Sequence, residues 1–134
     1  AGESELAGFL ADCEILVCLL PLTPATRGIL DAALFDALPR GASLINAARG
    51  QHLVESDLLA ALATSQIDSA TLDVFETEPL PDEHPFWTHP RVLVTPHTAS
   101  LIDPASGAAI VADNLRKFAK GDTVGDVADA ERGY

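Results

Sequence analysis

The segment Ser43-Leu-Ile-Asn-Ala-Ala-Arg-Gly50 joins a short apolar run to small residues and a single arginine. Leu44 and Ile45 suit a buried strand, and the small side chains that follow let other groups approach the backbone closely. Arg49 then lies where a parallel strand would end. Ligands of open α/β sheets bind outside the carboxyl ends of the strands, and the planar guanidinium group of arginine suits a carboxylate. The segment therefore predicts a strand that brings an arginine to a ligand site.

The same order of apolar strand, polar strand end and helix recurs on both sides of this segment. Strands are predicted over residues 14–20, 42–46, 69–75 and 91–95. Their apolar runs are typical of parallel strands that are buried on both faces. Helices are predicted near residues 4–10, 32–38, 55–62 and 104–120. This alternation predicts an α/β fold, in which a parallel sheet with right-handed crossovers carries flanking helices.

Length, composition and charge argue against several classes of protein. With 134 residues, of which 48% are apolar, the chain is expected to form a globular domain with a core. Its 20 acidic residues outnumber its 8 basic residues, and the net charge of −12 argues against a nucleic-acid or membrane partner. No apolar run approaches the roughly 20 residues of a membrane span, and no signal peptide is visible. Cys13 and Cys18 indicate neither a disulfide nor a metal site, so a cytoplasmic location is expected.

Side chains that can bind an acid or transfer a proton lie at the ends of three of the predicted strands. Arg49 follows the second strand, Asp73 lies near the end of the third with Glu78 five residues later, and His97 follows the fourth. Because the carboxyl ends of parallel strands lie at one edge of the sheet, we expect these side chains to converge. His97 can transfer a proton near neutral pH, a carboxylate can fix its tautomer, and Arg49 can bind a substrate carboxylate and polarise a carbonyl. Together they predict an acid–base site.

Each of these residues also has a purely structural interpretation. Arg49 would then pair with one of the many surface acids, and Asp73 would cap the following turn. Glu78, next to Pro79, would be a solvated loop residue, and His97 a turn residue with satisfied hydrogen bonds. Their joint placement at strand ends favours the functional interpretation over the structural one. Three further histidines are interpreted as structural loop residues: His52, His84 and His89.

Four segments extend the evidence beyond single residues. They are Leu19-Leu-Pro-Leu-Thr-Pro-Ala-Thr-Arg-Gly28, Leu44-Ile-Asn-Ala-Ala-Arg-Gly50, Leu72-Asp-Val-Phe-Glu-Thr-Glu-Pro79 and Thr95-Pro-His97. These segments cover most of residues 14–100. In their order and spacing the chain resembles the D-isomer-specific 2-hydroxyacid dehydrogenases. The sequence His-Pro-Phe-Trp at 84–87 and the ending Glu-Arg-Gly-Tyr134 are most similar to the glyoxylate/hydroxypyruvate reductase A branch of that family.

The resemblance implies a fold, a reaction and a set of partners. Residues 1–102 would form the C-terminal part of a Rossmann-type NAD(P)-binding domain, and residues 103–134 a returning helix and tail that pack on a substrate domain. The reaction would be hydride transfer between NAD or NADP and a small 2-keto or 2-hydroxy acid, carried out by a homodimer. No metal would take part.

The resemblance also implies residue roles. Arg49 would bind the carboxylate and carbonyl of the substrate, and His97 would protonate the carbonyl oxygen. Glu78 would orient His97 and keep it protonated, and Asp73 would contact the nicotinamide carboxamide. The residues implied at the cofactor are Leu20, Pro21, Ala47, Ala48, Arg49, Asp73 and His97.

The sequence departs from the family in lacking a Gly-x-Gly-x-x-Gly segment, in which a helix N-terminus binds the pyrophosphate. We therefore expect a C-terminal part of a longer enzyme, which alone binds NAD(P)H weakly and turns over little. The strand over 14–20 would then form an open apolar edge, and we expect the chain to self-associate through this strand or through the last helix. The alternative is a truncated, non-catalytic interaction module that associates through this edge. An unrelated flavodoxin-like domain would explain the alternation of strands and helices but not the four segments.

Overall fold

The computed structural model describes residues 3–100, 103–125 and 127. It divides into two compact units, residues 1–99 and 100–134. The helices are α1 (Glu3–Ala11), α2 (Ala32–Ala37), α3 (Glu55–Ala63) and α4 (Pro104–Lys120). The strands are β1 (Ile15–Cys18), β2 (Ala42–Asn46), β3 (Ile67–Leu72) and β4 (Val92–Val94). Two short 3₁₀ turns cover Gly50–His52 and Pro85–Trp87.

The first unit is built on one sheet of four parallel strands in the order β1-β2-β3-β4. Their last residues lie in register: Cys18 pairs with Asn46, Asn46 with Leu72, and Leu72 with Val94. The predicted α/β fold with a parallel sheet is confirmed. Because the four strands end together, the loops that follow them share one edge of the sheet, which is called the carboxyl edge below.

The bounds of β2 are those predicted, whereas the other three strands are shorter than their apolar runs predict. β1 ends at Cys18, and the side chains of Leu19 and Leu20 beyond it are 71% and 44% exposed. β3 begins earlier than predicted and ends at Leu72, so that Asp73 already belongs to the loop. An apolar run shows that a segment is buried or pairs with a neighbour, but it does not show where the ladder of hydrogen bonds stops.

Burial along β1 alternates because successive side chains of a strand point to opposite faces of the sheet. Leu16 and Cys18 point into the core, whereas Ile15 and Val17 are 60% and 48% exposed. Among the described residues β1 pairs with β2 alone, so the open apolar edge expected for this strand is present. The core itself lies between the sheet and the helices α2 and α3. Its largest fully buried apolar side chains are Phe35, Phe86, Leu44, Leu58, Leu62, Ile67 and Leu72.

The second unit contains α4, whose ends have the residues that helix termini favour. Asp103 is the N-cap, and its carboxylate accepts hydrogen bonds from the backbone N–H of Ser106 at 3.0 Å and from the Ser106 hydroxyl at 2.8 Å. Pro104 occupies the first turn, and Gly121 ends the helix with a left-handed φ of 75°. Among the described residues, no helix combines the length and the hydropathy that crossing a membrane requires.

Candidate active site

The turn after β2 is held in shape by a buried amide. Asn46 is fully buried at the last position of the strand, and its side chain bonds twice to the turn. Its Nδ2 donates to the carbonyl oxygen of Arg49 at 3.2 Å, and its Oδ1 accepts from the backbone N–H of Ala48 at 3.2 Å. Arg49 is thereby exposed at the carboxyl edge, where one guanidinium nitrogen donates to the Ala48 carbonyl at 2.6 Å. The other N–H groups of the guanidinium provide donors for a ligand.

Gly50 brings this turn against the loop that follows β3. The backbone at Gly50 lies so close to the backbone at Phe75 and Glu76 that a Cβ atom at position 50 would overlap their atoms. Only glycine allows two chain segments to approach this closely. The approach places Arg49 and Glu78, which lie on different loops, beside one cavity.

The side chains of Glu78 and His97 are hydrogen-bonded to each other at the carboxyl edge. The distance from Glu78 Oε2 to His97 Nδ1 is 2.8 Å, and Glu78 Oε1 accepts from the backbone N–H of Phe75 at 2.9 Å. The hydrogen bond with His97 is the largest cause that lowers the pKa of Glu78, followed by the bond from Phe75, with a smaller contribution from the Arg49 guanidinium. Glu78 is therefore held as a carboxylate that orients the ring. Among the described residues, no group bonds to the other ring nitrogen of His97, Nε2, which is the atom that can exchange a proton.

Asp73 holds the turn that carries His97. Its buried carboxylate accepts from the Thr95 hydroxyl, from the backbone N–H of Thr98 at 2.9 Å and from that of Ala99 at 2.8 Å. Burial raises the pKa of Asp73, but these hydrogen bonds outweigh it and the pKa lies below the ordinary value. They also hold His97 at a left-handed φ of 53°, which non-glycine residues rarely adopt. The resemblance implies that Asp73 contacts the carboxamide; the contacts it makes here are with this turn.

Two cavities adjoin the Glu78–His97 pair. A cavity of about 170 Å³ is lined by Arg49, Glu78 and His97, together with backbone and side chains of neighbouring loop residues. A larger one, of about 580 Å³, lies against the same pair and is mainly apolar, with Trp87 and Leu80 in its wall. The structure thus brings the three residues that were predicted to be catalytic together around one small cavity.

The remaining residues implied at the cofactor lie outside that small cavity but at the same edge of the sheet. Leu20 and Pro21 follow β1, and Ala47 and Ala48 follow β2. Ala48 is buried, so any contact with a ligand there uses the backbone, whereas Leu20 is 44% exposed. The N–H of Ala47 donates to the carbonyl of Cys18 at 3.3 Å, which keeps the two strand ends side by side.

This donor set fits the nicotinamide end of a dinucleotide. Ala47 and Ala48 after β2 have small side chains, and the Glu78–His97 pair lies at the same carboxyl edge. Leu20 and Pro21 offer an apolar surface. The glycine-rich phosphate loop is not among the residues of this sequence. Such a loop would hold the pyrophosphate, so the fit of these residues is limited to the nicotinamide end.

Acid is expected to weaken the fold through Asp73 and Glu78. Both carboxylates have pKa values below those of the unfolded chain, which are about 3.9 for Asp and 4.3 for Glu. Their stabilisation is complete above the unfolded-state pKa and is lost as the pH falls through the folded-state pKa. The free energy of unfolding, measured with denaturant from pH 7 to pH 3, should fall mainly below about pH 4. Asp73→Asn should make this fall in the free energy of unfolding smaller. Asp36→Asn, at an exposed position, is the control. Equal pH profiles of the two variants would contradict the stabilising role given to Asp73.

Known proteins of similar sequence and structure identify the family of this chain. The sequence profile of the D-isomer specific 2-hydroxyacid dehydrogenase NAD binding domain matches residues 1–99. A D-isomer specific 2-hydroxyacid dehydrogenase from Xanthobacter autotrophicus Py2, solved with NADPH and MES, is 49% identical over 99% of this chain and 55% of that chain, with a TM-score of 0.94. An NADPH-dependent glyoxylate/hydroxypyruvate reductase from Sinorhizobium meliloti, solved with NADP and sulfate, is 42% identical over 100% of this chain and 44% of that chain, with a TM-score of 0.95.

A third relative is a probable 2-hydroxyacid dehydrogenase from Rhizobium etli CFN 42, solved with NADP, HEPES and L(+)-tartaric acid. It is 37% identical over 100% of this chain and 44% of that chain, with a TM-score of 0.93. The chain thus spans about half the length of these relatives. It belongs to the D-isomer specific 2-hydroxyacid dehydrogenase family and comprises a part of its NAD-binding domain.

Proposed function

We propose that this protein is part of an oxidoreductase that transfers hydride between NAD(P)H and a small 2-keto acid, with glyoxylate and hydroxypyruvate as substrates. The observation that carries the proposal is the shared cavity of Arg49, Glu78 and His97. The Sinorhizobium meliloti relative is a glyoxylate/hydroxypyruvate reductase solved with NADP. It supports glyoxylate and hydroxypyruvate as the substrates and NADPH as the first cofactor to test. The tartaric acid in the Rhizobium etli structure is itself a 2-hydroxy acid and supports the substrate class.

In this proposal each of the three residues has one task. Arg49 binds the carboxylate of the keto acid through paired hydrogen bonds and polarises its carbonyl. When bound, the nicotinamide supplies the hydride that the carbonyl carbon receives. As the carbonyl π bond breaks, its electron pair moves to the oxygen, which takes the proton from His97 Nε2. Glu78, at 2.8 Å from Nδ1, keeps the ring oriented and stabilises its protonated form.

The test is a reductase assay on the protein expressed from its complete native reading frame. NADPH and NADH are each combined with glyoxylate and with hydroxypyruvate, and oxidation of the cofactor is followed by absorbance. We expect turnover with at least one pair and none with the keto acid left out. The 134-residue chain assayed alone is expected to turn over little, because it contains no glycine-rich phosphate loop. Absence of turnover by the complete protein with every pair would overturn the proposal.

A second proposal concerns assembly and follows from the open edge of β1. Val17 and Ile15 are about half exposed on a strand whose outer edge pairs with none of the residues that the structure describes. Such an edge can pair with a second copy of the chain. A chain that associates in this way without catalysing a reaction is the alternative to the reductase. The homodimer implied by the family resemblance is likewise a proposal for the complete protein.

Self-association through β1 is expected to be sensitive to a charge on that strand. In sedimentation velocity runs, the 134-residue chain should show dimers or larger species at high concentration. Val17→Lys should shift it towards monomer, because an inserted lysine protects an edge strand from pairing. Leu93→Lys is the matched control, since Leu93 is 60% exposed on β4 at the opposite edge of the sheet. A wild-type chain that stays monomeric would contradict the proposal.

A cytoplasmic location is also proposed. Cys13 and Cys18 are free thiols in the structure, as is usual for proteins in reducing compartments. Fractionation of the source cells tests this, and recovery of the protein outside the cytoplasmic fraction would contradict it.

A further inference from the structure

His52 is a buried side chain for which the proposed reaction has no role. It lies in the 3₁₀ turn that follows Arg49 and has no exposed surface. Its two ring nitrogens face different loops. Nδ1 is 3.3 Å from the backbone nitrogen of Arg49, and Nε2 is 3.3 Å from the carbonyl oxygen of Pro21, which follows β1. The ring therefore bridges the turn after β2 and the loop after β1.

The surrounding hydrogen bonds assign the tautomer of this ring. The carbonyl oxygen of Arg49 lies 3.0 Å from Nδ1, but it already accepts from Asn46 Nδ2 and from the backbone N–H of His52, both at 3.2 Å. Nδ1 is best used as the acceptor for the Arg49 N–H, and the ring proton then lies on Nε2 and is donated to Pro21. Each ring nitrogen then has one hydrogen-bond partner, the N–H of Arg49 for Nδ1 and the carbonyl oxygen of Pro21 for Nε2.

The backbone of the same turn strengthens the bridge. The carbonyl oxygen of Gln51 accepts from the N–H of Gly28, and that of His52 accepts from the N–H of Leu30, both at 2.9 Å. The Pro21 carbonyl that His52 contacts also accepts from the Thr26 hydroxyl at 2.7 Å. The loop after β1 and the turn with Arg49 are thus fixed to each other by the backbone near Gln51 and by the imidazole near Pro21.

We propose that His52 is a positioning residue that sets the spacing between Pro21, on the cofactor side of the site, and Arg49, on the substrate side. The proposal rests on the proposed function, because it takes Arg49 to bind the substrate carboxylate and Pro21 to line the cofactor. Each ring nitrogen serves one side. The Nδ1 contact orients the backbone that bears the guanidinium, and the Nε2 contact fixes the carbonyl of Pro21.

Two substitutions separate the two contacts. In His52→Asn, the side-chain oxygen is close to the position of Nδ1 and can still accept from Arg49, but the side chain is too short to reach Pro21. In His52→Gln, the amide nitrogen reaches the position of Nε2 and can donate to Pro21, but the acceptor for Arg49 is lost. His52→Leu removes both contacts. If His52 only filled the core, the variants would share one loss of stability, and no variant would affect one contact without the other.

In the complete protein we expect His52→Asn to raise KM for NADPH about tenfold and to change KM for the keto acid little. His52→Gln should raise KM for the keto acid about tenfold and change KM for NADPH little. Each variant loses one hydrogen bond of ordinary strength, on a different side of the site. His52→Leu should raise both KM values. His89→Asn is the matched control. His89 Nδ1 also accepts a backbone N–H, from Arg91 at 3.2 Å, but His89 precedes β4 and so lies away from the carboxyl edge. Equal effects of the Asn and Gln variants on both KM values would overturn the proposal.

A second readout does not depend on turnover. NMR of the ¹⁵N-labelled 134-residue chain should show the His52 ring proton on Nε2, and the Arg49 amide should exchange its proton about tenfold faster in His52→Gln than in His52→Asn. A proton on Nδ1, or equal exchange in the two variants, would overturn the positioning role. If the wild-type protein reduces no keto acid while both NMR results hold, the proposed function fails and the bridge between the two loops stands.

Discussion

Replacing Gly50 by alanine is expected to reduce the stability of the sheet's carboxyl edge and to abolish the catalytic arrangement. A Cβ atom at this position would overlap the carbonyl group of Phe75 and the backbone nitrogen of Glu76. These are backbone atoms, which cannot move aside by a change of rotamer, so the turn with Arg49 and the loop with Glu78 must separate. Overpacking of this kind costs about 3 kcal/mol of unfolding free energy. A displacement of about 1 Å between reacting groups can also lower the rate about 100-fold.

The measurement combines denaturant unfolding of the 134-residue chain with reductase assays of the complete protein. Gly8→Ala is the matched control: Gly8 lies within α1, and a Cβ atom there would meet nothing within 4 Å. Alanine is favoured over glycine inside a helix by roughly 0.5–1 kcal/mol, so this variant should be neutral or slightly more stable. An unfolding free energy of Gly50→Ala within about 0.5 kcal/mol of the wild-type value, the size of an ordinary surface change, would contradict the close approach of the two loops.

The common placement of Arg49, Asp73 and His97 was predictable because each lies within a few residues of the end of an apolar run, although the run does not fix the last residue of a strand. Parallel strands place these ends at one edge. The register of Asn46 with Leu72 and of Leu72 with Val94 makes that edge nearly straight. The convergence of the side chains therefore followed from strand order alone, without knowledge of any side-chain contact.

The supporting contacts were not predictable, because their partners are far apart in sequence or depend on backbone geometry. Asp73 bonds to N–H groups 25 and 26 residues later, and His52 bonds to a carbonyl 31 residues earlier. A polar residue in an apolar run, such as Asn46 at the end of β2, was the one local signal of a side chain that shapes a turn. The left-handed conformation of His97 was not predictable, because most histidines have a negative φ even though histidine adopts a positive φ more often than most residues.

The largest effect on activity is expected at His97. Because this residue has a φ of 53°, alanine would combine loss of the ring with backbone strain, whereas asparagine tolerates the left-handed region. His97→Asn should therefore keep the turn and its bonds to Asp73 while removing the group that transfers the proton. General acid–base catalysis contributes about 10²- to 10⁴-fold, so kcat/KM for the keto acid should fall by about 10³. Since the side chain is 43% exposed, the melting temperature should change little.

Glu78→Gln tests whether the paired carboxylate acts through His97. Glu78 accepts from His97 with one oxygen and from Phe75 with the other, whereas glutamine has one oxygen and must turn its NH₂ group towards one of these donors. Its kcat/KM should fall less than that of His97→Asn, and in the double variant the glutamine should add little, because both changes act on the same proton transfer. His89→Asn, before β4 and away from the carboxyl edge, should retain wild-type activity.

If His97→Asn keeps more than about a tenth of the wild-type activity, the general acid lies elsewhere, since loss of a general acid costs at least about 100-fold.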